Sequence, residues 1–434
     1  GNNALTANTT GNYNTACGDA ALASNTTGDN NTSIGRTSLF ANTTGTNNVA
    51  VGADALDANT TANNNTAIGF NALSAITTNS NCTAVGKDAL KSNTAAENTA
   101  VGFAALEANV TGIQNTAVGY SALVLSTNGY CTAVGYRTME NVTTGQANVA
   151  VGDGASGSLT TQSYVTAVGH FALNNNTNPN NTAFGGNAAR YVTTGYCTAI
   201  GKSACGSQTT ADQCTAVGQT ALFTNQTGDN NTAVGANALY SATAGNNTAV
   251  GRYANMLLTT ATSNTSIGYN AGYHTTTGNN NTNLGSGAAP TTATASNQVT
   301  LGDSSVSSLR CNDTSISSLS DERDKTEIID LPIGLDFINA LKPRKFKWQT
   351  RDGNIKDGKY RAGFIAQELQ ALESSTSVDY LDLILDDNPD KLEAIEGHLL
   401  PVLVKAIQDL SAENTALKDL IKGSSSFANL KSSL

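Results

Sequence analysis

The sequence predicts a mainly β chain: a parallel β-solenoid, or β-roll, of about eighteen 16–17-residue coils, then a small α+β domain ending in a coiled-coil helix. Three observations predict it. A glycine recurs at positions 1, 18, 35, 52, 69, 86, 102, 119, 135, 152, 169, 185, 201, 218, 235, 251, 268, 285 and 302, usually closing the phrase Asn-Thr-Ala-Val-Gly, and every spacing is 16 or 17. Charge lies mostly beyond the repeat, since residues 1–302 hold only 11 of the 33 acidic and 7 of the 23 basic residues. The stretch "LLPVLVKAIQDLSAENTALKDLIKG" then places apolar residues in steps of four and three. A fixed period marks stacked repeats, a jump in composition marks a second region with different physics, and the four–three step marks a helical seam.

Three segments follow: a repetitive shaft over 1–302, a connector over 303–319, and a domain over 320–434 whose coiled coil occupies 399–422. Within a coil, the residue before the glycine is apolar: Ile34, Val51, Ile68, Val85, Val101, Phe184, Ile200 and Leu284, with Cys17 the smallest. Four residues after the glycine stands a second apolar slot: Leu22, Leu56, Leu73, Leu90, Leu106, Leu123, Leu173, Leu222 and Leu239. One coil cannot bury two such patches, but stacking turns them into a continuous core. The glycine permits a positive φ or a close backbone approach, and "NTTG" is turn chemistry. Strands of four or five residues between turns are expected, and at about 4.7–4.8 Å per coil the stack would run roughly 85 Å.

The asparagine before "TAVG", as at Asn14, Asn31, Asn48, Asn65, Asn98, Asn115, Asn148, Asn181, Asn231, Asn247, Asn264 and Asn281, is expected to form an amide ladder along the axis. The many Asn-x-Thr triplets are a by-product of the repeat, so no glycan is needed to explain them. Cys82, Cys131, Cys197 and Cys214 replace that asparagine, Cys17 and Cys205 replace core residues, and Cys311 lies beyond the repeat. With no CxxC and an odd count, these read as small buried side chains rather than a disulfide framework. His170, His274 and His398 share no metal-ligand spacing, so neither metal nor cofactor is expected. The aromatic residues beside the glycine, Phe70, Phe103, Tyr120, Tyr136 and Tyr269, are expected on the surface, as contacts to glycans or between chains.

A net charge of -10 argues against a phosphate backbone as partner, and no apolar run reaches the roughly 18–20 residues that span a bilayer. The chain starts in register with its repeat and lacks an initiator Met, which reads as part of a longer polypeptide with an N-terminal attachment segment. Connector residues 303–319, "DSSVSSLRCNDTSISSL", alternate small polar and apolar side chains and read as extended chain. In the last helix Leu403, Ile407, Leu410, Asn414, Leu417 and Ile421 form an a/d seam, with Asn414 the polar position that sets register. The competing possibility is an amphipathic helix packed on its own domain; two strands versus three stays open on these residues alone.

The repeat resembles the left-handed β-roll heads of trimeric adhesins and the "NTAVG" repeats of viral fibres. After it come "SDERDK", "LKPRKFKW" and "GFIAQEL" in order, then the terminal helix. Together these resemble the C-terminal intramolecular chaperone domain of endosialidase-type tailspikes, a self-cleaving peptidase. The resemblance implies a homotrimeric fibre of a virion tail, made in the host cytoplasm, which joins other virion proteins and contacts a host receptor or glycan. It implies that Ser320 and Lys325 cut the chain between Leu319 and Ser320, with Asp321, Arg323, Gly363, Phe364, Gln367 and Glu368 as supporting motif positions. A serine hydroxyl needs a base, and lysine serves once desolvation or nearby cations favour its neutral form. Two alternatives stand beside this reading. A cell-surface trimeric adhesin without enzymatic activity would be expected to end in a β-barrel anchor, whereas this chain ends "SSSFANLKSSL". A polysaccharide-degrading spike would need recurring carboxylate pairs, which the scattered acids of the repeat do not form.

Overall fold

A computed structural model describes residues 1–306, 308–310, 320–349, 355–386 and 392–423. Leu319, Cys311 and most of the connector lie outside the described residues. The chain divides into two compact units, Gly1–Asp303 and Ser304–Leu434.

In the first unit each coil contributes one strand to an eighteen-stranded parallel sheet, from β1 (Thr15–Cys17) to β18 (Val299–Leu301). Equivalent residues pair in register, Thr66 with Thr83 and Ile68 with Val85. The strands are three residues long, four only in β12 (Cys197–Ile200) and β13 (Cys214–Val217), shorter than the repeat suggested. Turns fill the rest of each coil, and left-handed residues build them. Asp54 and Leu56 have φ of 60° and 52°, and the same two slots are left-handed in coil after coil. That conformation costs an ordinary residue about 1–2 kcal/mol. Complete burial of the Leu56 side chain and the bond from its N–H to Ala72 O at 3.1 Å offset it.

The coil glycine meets both expected demands. Gly119 has φ 136°, and a Cβ there would lie 2.1 Å from Gly135 O on the next coil. The core, however, is composed differently from the expectation. Strand alternation turns the alanine inward, so Ala50, Ala67, Ala84 and Ala100 are fully buried beside the leucine column. The residue before the glycine faces out: Ile34, Ile68, Phe184 and Ile200 are 41%, 40%, 56% and 42% exposed, and Cys17 is exposed too. A narrow coil accepts a methyl group opposite each leucine, not a second branched side chain.

The asparagine column also corrects the expectation. Asn31 Oδ1 accepts from the backbone N–H of Asn48 at 3.0 Å, and Asn31 Nδ2 donates to the turn carbonyl of Gly45 at 2.8 Å. It is chiefly a side-chain-to-backbone ladder. The amide-to-amide ladder runs through the corner asparagines instead: Asn25 Nδ2 donates to Asn8 Oδ1 at 2.8 Å, Asn42 to Asn25 at 2.8 Å, and Asn59 to Asn42 at 2.9 Å. Both columns are buried, which leaves no room for a glycan on Asn25, Asn42 or Asn59, each of which heads an Asn-Thr-Thr triplet.

The second unit is α+β. Helix α1 (Leu335–Ala340) precedes the antiparallel pair β19 (Arg344–Gln349) and β20 (Ile355–Gly363). Then come α2 (Ala366–Thr376), the short pair β21 (Ile384–Leu385) and β22 (Glu393–Ala394), and α3 (Leu400–Gly423). Phe337, Leu369, Leu383, Leu399 and Val402 form its core. Among the described residues no helix is long and apolar enough to cross a membrane.

Candidate active site

Ser320 and Lys325 are brought together by a single 3₁₀ turn, Glu322–Asp324. Asp321 caps it, accepting from the Arg323 N–H at 2.9 Å, and the turn closes with Lys325 N–H donating to Glu322 O at 3.1 Å. Arg323 reaches back to the same carboxylate through Nε at 3.0 Å and Nη2 at 2.5 Å. These bonds hold the Asp321 carboxyl below its usual range. With the turn closed, Lys325 Nζ donates to Ser320 Oγ at 2.5 Å. Five residues of sequence separation thus become direct contact, and Asp321 and Arg323 shape the turn rather than touch the serine.

Both members of the pair are exposed in the single chain. From Lys325 a cleft of about 550 Å³ runs along Ile328, Ile329, Leu331 and Pro332 to Tyr380. Its apolar walls stand in water, Ile329 being 81% exposed. A hydroxyl–amine pair beside bare apolar surface has the parts for acyl transfer, but not the dry setting that favours a neutral amine.

The other motif blocks meet elsewhere in the unit. Arg344, from "LKPRKFKW", grips Glu368, from "GFIAQEL", through two bonds; that from Nε to Oε2 measures 2.9 Å. The guanidinium holds the Glu368 carboxyl below its usual range. Gly363 lets the chain pass close by, since a Cβ there would lie 2.9 Å from Glu396 Oε1, which accepts from Phe364 N–H at 3.2 Å. Phe364 packs on the core, and Gln367 is exposed. These residues frame the fold of the unit. Sequence comparison agrees with this layout: residues 320–376 match the model of a peptidase family described as the chaperone of endosialidase. The C-terminal unit carries a chaperone-of-endosialidase domain. No curated protein and no solved structure matches the chain.

Beyond the matched segment, the second unit docks α3 by Val402 and Ala406, both buried. The predicted seam lies on another face. Leu403, Ile407, Leu410, Leu417 and Ile421 are all exposed, as is Asn414. Outside the chaperone domain, the six described cysteines are free. Cys82, Cys131 and Cys214 donate to the turn carbonyls of Ala95, Gly145 and Gly228 at 3.3, 3.5 and 3.3 Å, taking over the amide's donor role. Burial pushes their thiols up, that of Cys214 to about 11. A hydrogen bond with Cys197, and then burial, push Cys205 up as well. They stay protonated and inert at neutral pH.

Proposed function

We propose that the protein is a homotrimeric fibre or spike of a virion tail that serves host attachment, whose C-terminal domain aligns three chains and then cuts itself free between Leu319 and Ser320. One observation carries the reading: the family match begins at Ser320, and Ser320 Oγ is bonded to Lys325 Nζ. A cut before Ser320 therefore releases the whole matched segment.

In the proposed chemistry neutral Lys325 takes the Ser320 hydroxyl proton, and Oγ adds to the Leu319 carbonyl carbon. The C–N bond breaks as the amide nitrogen receives the proton, leaving an ester that water hydrolyses to a Leu319 carboxylate and a restored serine. Nucleophile and bond share one chain, so orientation supplies much of the rate. The exposed dyad and its bare apolar cleft suit a reaction that waits for assembly, when neighbouring chains exclude water. Two exposed apolar stripes support self-association: the α3 seam, and the Ile/Val column along the strands of the solenoid. Exposed apolar side chains lined up along one face are the kind of surface that protein interfaces cover.

The test is mass spectrometry of the expressed full chain. Wild type yields a C-terminal piece beginning at Ser320. Ser320→Ala and Lys325→Arg stay intact, because arginine keeps the cation yet cannot act as a base. Processing of Ser320→Ala at the same bond refutes the assignment.

A further inference from the structure

We propose that the solenoid carries a saccharide-binding cleft across the coils that begin at Gly135, Gly152 and Gly169, in which a sugar ring stacks on Tyr136 while its hydroxyls bond to Asp153, Arg137 and Glu140. It gives the attachment reading above a site and a ligand class, and rests on that reading only for its biological use.

The aromatic column supplies the stacking face. Phe103, Tyr120 and Tyr136 follow the coil glycine on three successive coils, with ring centroids 5.1 and 5.3 Å apart and planes within 12° and 20°. Lys87 Nζ covers one end, 5.5 Å from the Phe103 centroid. At the other end the ladder stops, because the same slot holds Asp153 and then His170, whose Nε2 lies 3.9 Å from Asp153 Oδ2. Among the described residues, no ring stacks on the outer face of Tyr136.

Space opens at that point. The coil starting at Gly152 is the one repeat unit with glycine both two and five residues further on, at Gly154 and Gly157. A cleft of about 330 Å³ results, at the lower end of the roughly 300–1,000 Å³ of small-ligand sites. Its floor is built in advance. Phe171 lies against Gly154, where a Cβ would come within 2.4 Å of the ring, and the Arg190 guanidinium sits 4.7 Å from the ring centroid. Asn174 Nδ2 donates to Gly154 O and Asn141 Nδ2 to Gly157 O, both at 2.7 Å.

The chemistry selects the ligand. A pyranose offers a C–H face to the negative face of an aromatic ring, and hydroxyls that both donate and accept. Asp153 accepts, and the Arg137–Glu140 ion pair offers both roles. Two carboxylates against one guanidinium disfavour an anion, and carboxylates that accept from hydroxyls beside an exposed aromatic face fit a neutral sugar.

The full chain, its Tyr136→Ala and Asp153→Ala variants and a Tyr269→Ala control are titrated with maltohexaose, cellohexaose and mannohexaose by saturation-transfer NMR and calorimetry. At least one sugar binds wild type, Tyr136→Ala and Asp153→Ala each weaken it by about tenfold or more, and Tyr269→Ala does not. Binding to none of the three, or equal binding by all variants, overturns the proposal. So does a Tyr136→Ala chain that binds normally but sediments as smaller particles, which would make the ladder a contact between copies. Uncut Ser320→Ala protein is titrated alongside, so failure of self-cleavage and failure of the cleft are read separately.

Discussion

Gly119 shows how strictly one atom can be excluded. Its φ of 136° is closed to alanine, and the missing Cβ would stand 2.1 Å from a backbone oxygen that cannot swing away. Gly119→Ala is expected to cost about 3 kcal/mol or more, combining backbone strain with overpacking, and calorimetry should record a thermal midpoint lower by several degrees. Ser320 and Lys325 present the opposite case: both are exposed, and their meeting depends on the Asp321 cap and the Arg323 fork that close one turn. The buried cysteines occupy a middle ground, since a thiol hydrogen replaces an amide donor at the same carbonyl and the coil closes unchanged.

Among the elements, β19 and α2 are joined by Arg344 and Glu368, and that pair sets a pH dependence. The folded-state pKa of Glu368 is depressed, so its contribution is present above the unfolded value near 4.5 and is lost as pH falls through the folded value. Melting the uncleaved domain from pH 7 to pH 3 should show a loss of stability at the acid end that is shallower in Glu368→Gln. The effect is modest, as expected of an exposed pair. Helix α3 has two apolar faces, one spent on its own domain through Val402 and Ala406 and one left bare. Ile407→Asp should leave the domain folded and weaken association by roughly a hundredfold or more. Sedimentation equilibrium checks this: a mass equal to wild type removes α3 from the interface.

For the whole molecule, near-identical coils create a problem of alignment. A slip by one coil pairs threonine with threonine and valine with valine almost as well as the native register does. Under the proposed function, a C-terminal domain that joins chains first would define the starting point, and coils would then add from neighbour to neighbour. Its removal by the proposed cut would leave a stack held by a kinetic barrier. A chain truncated after Gly302 is therefore expected to aggregate or stay disordered, as followed by sedimentation and circular dichroism. Prompt assembly of that truncated chain into a stable rod would remove the need for a template.

The period, the coil glycine and the corner leucine were legible in the sequence because each is a local demand that one residue type meets, and the three C-terminal blocks were legible through their resemblance to a known family. The pairing of Ser320 with Lys325 came from the family resemblance, and the single 3₁₀ turn between them shows how residues five apart come into contact. Three features were not legible. Alanine and valine are both apolar, so which of them faces inward depends on how the coil closes, and closure is a property of the stack. The left-handed leucines and the corner amide ladder have the same origin, since each is stable only with an identical neighbour beside it. The tertiary structure alone decided that the α3 seam and the dyad stand in water, because exposure is set by what else packs nearby and no local motif encodes it.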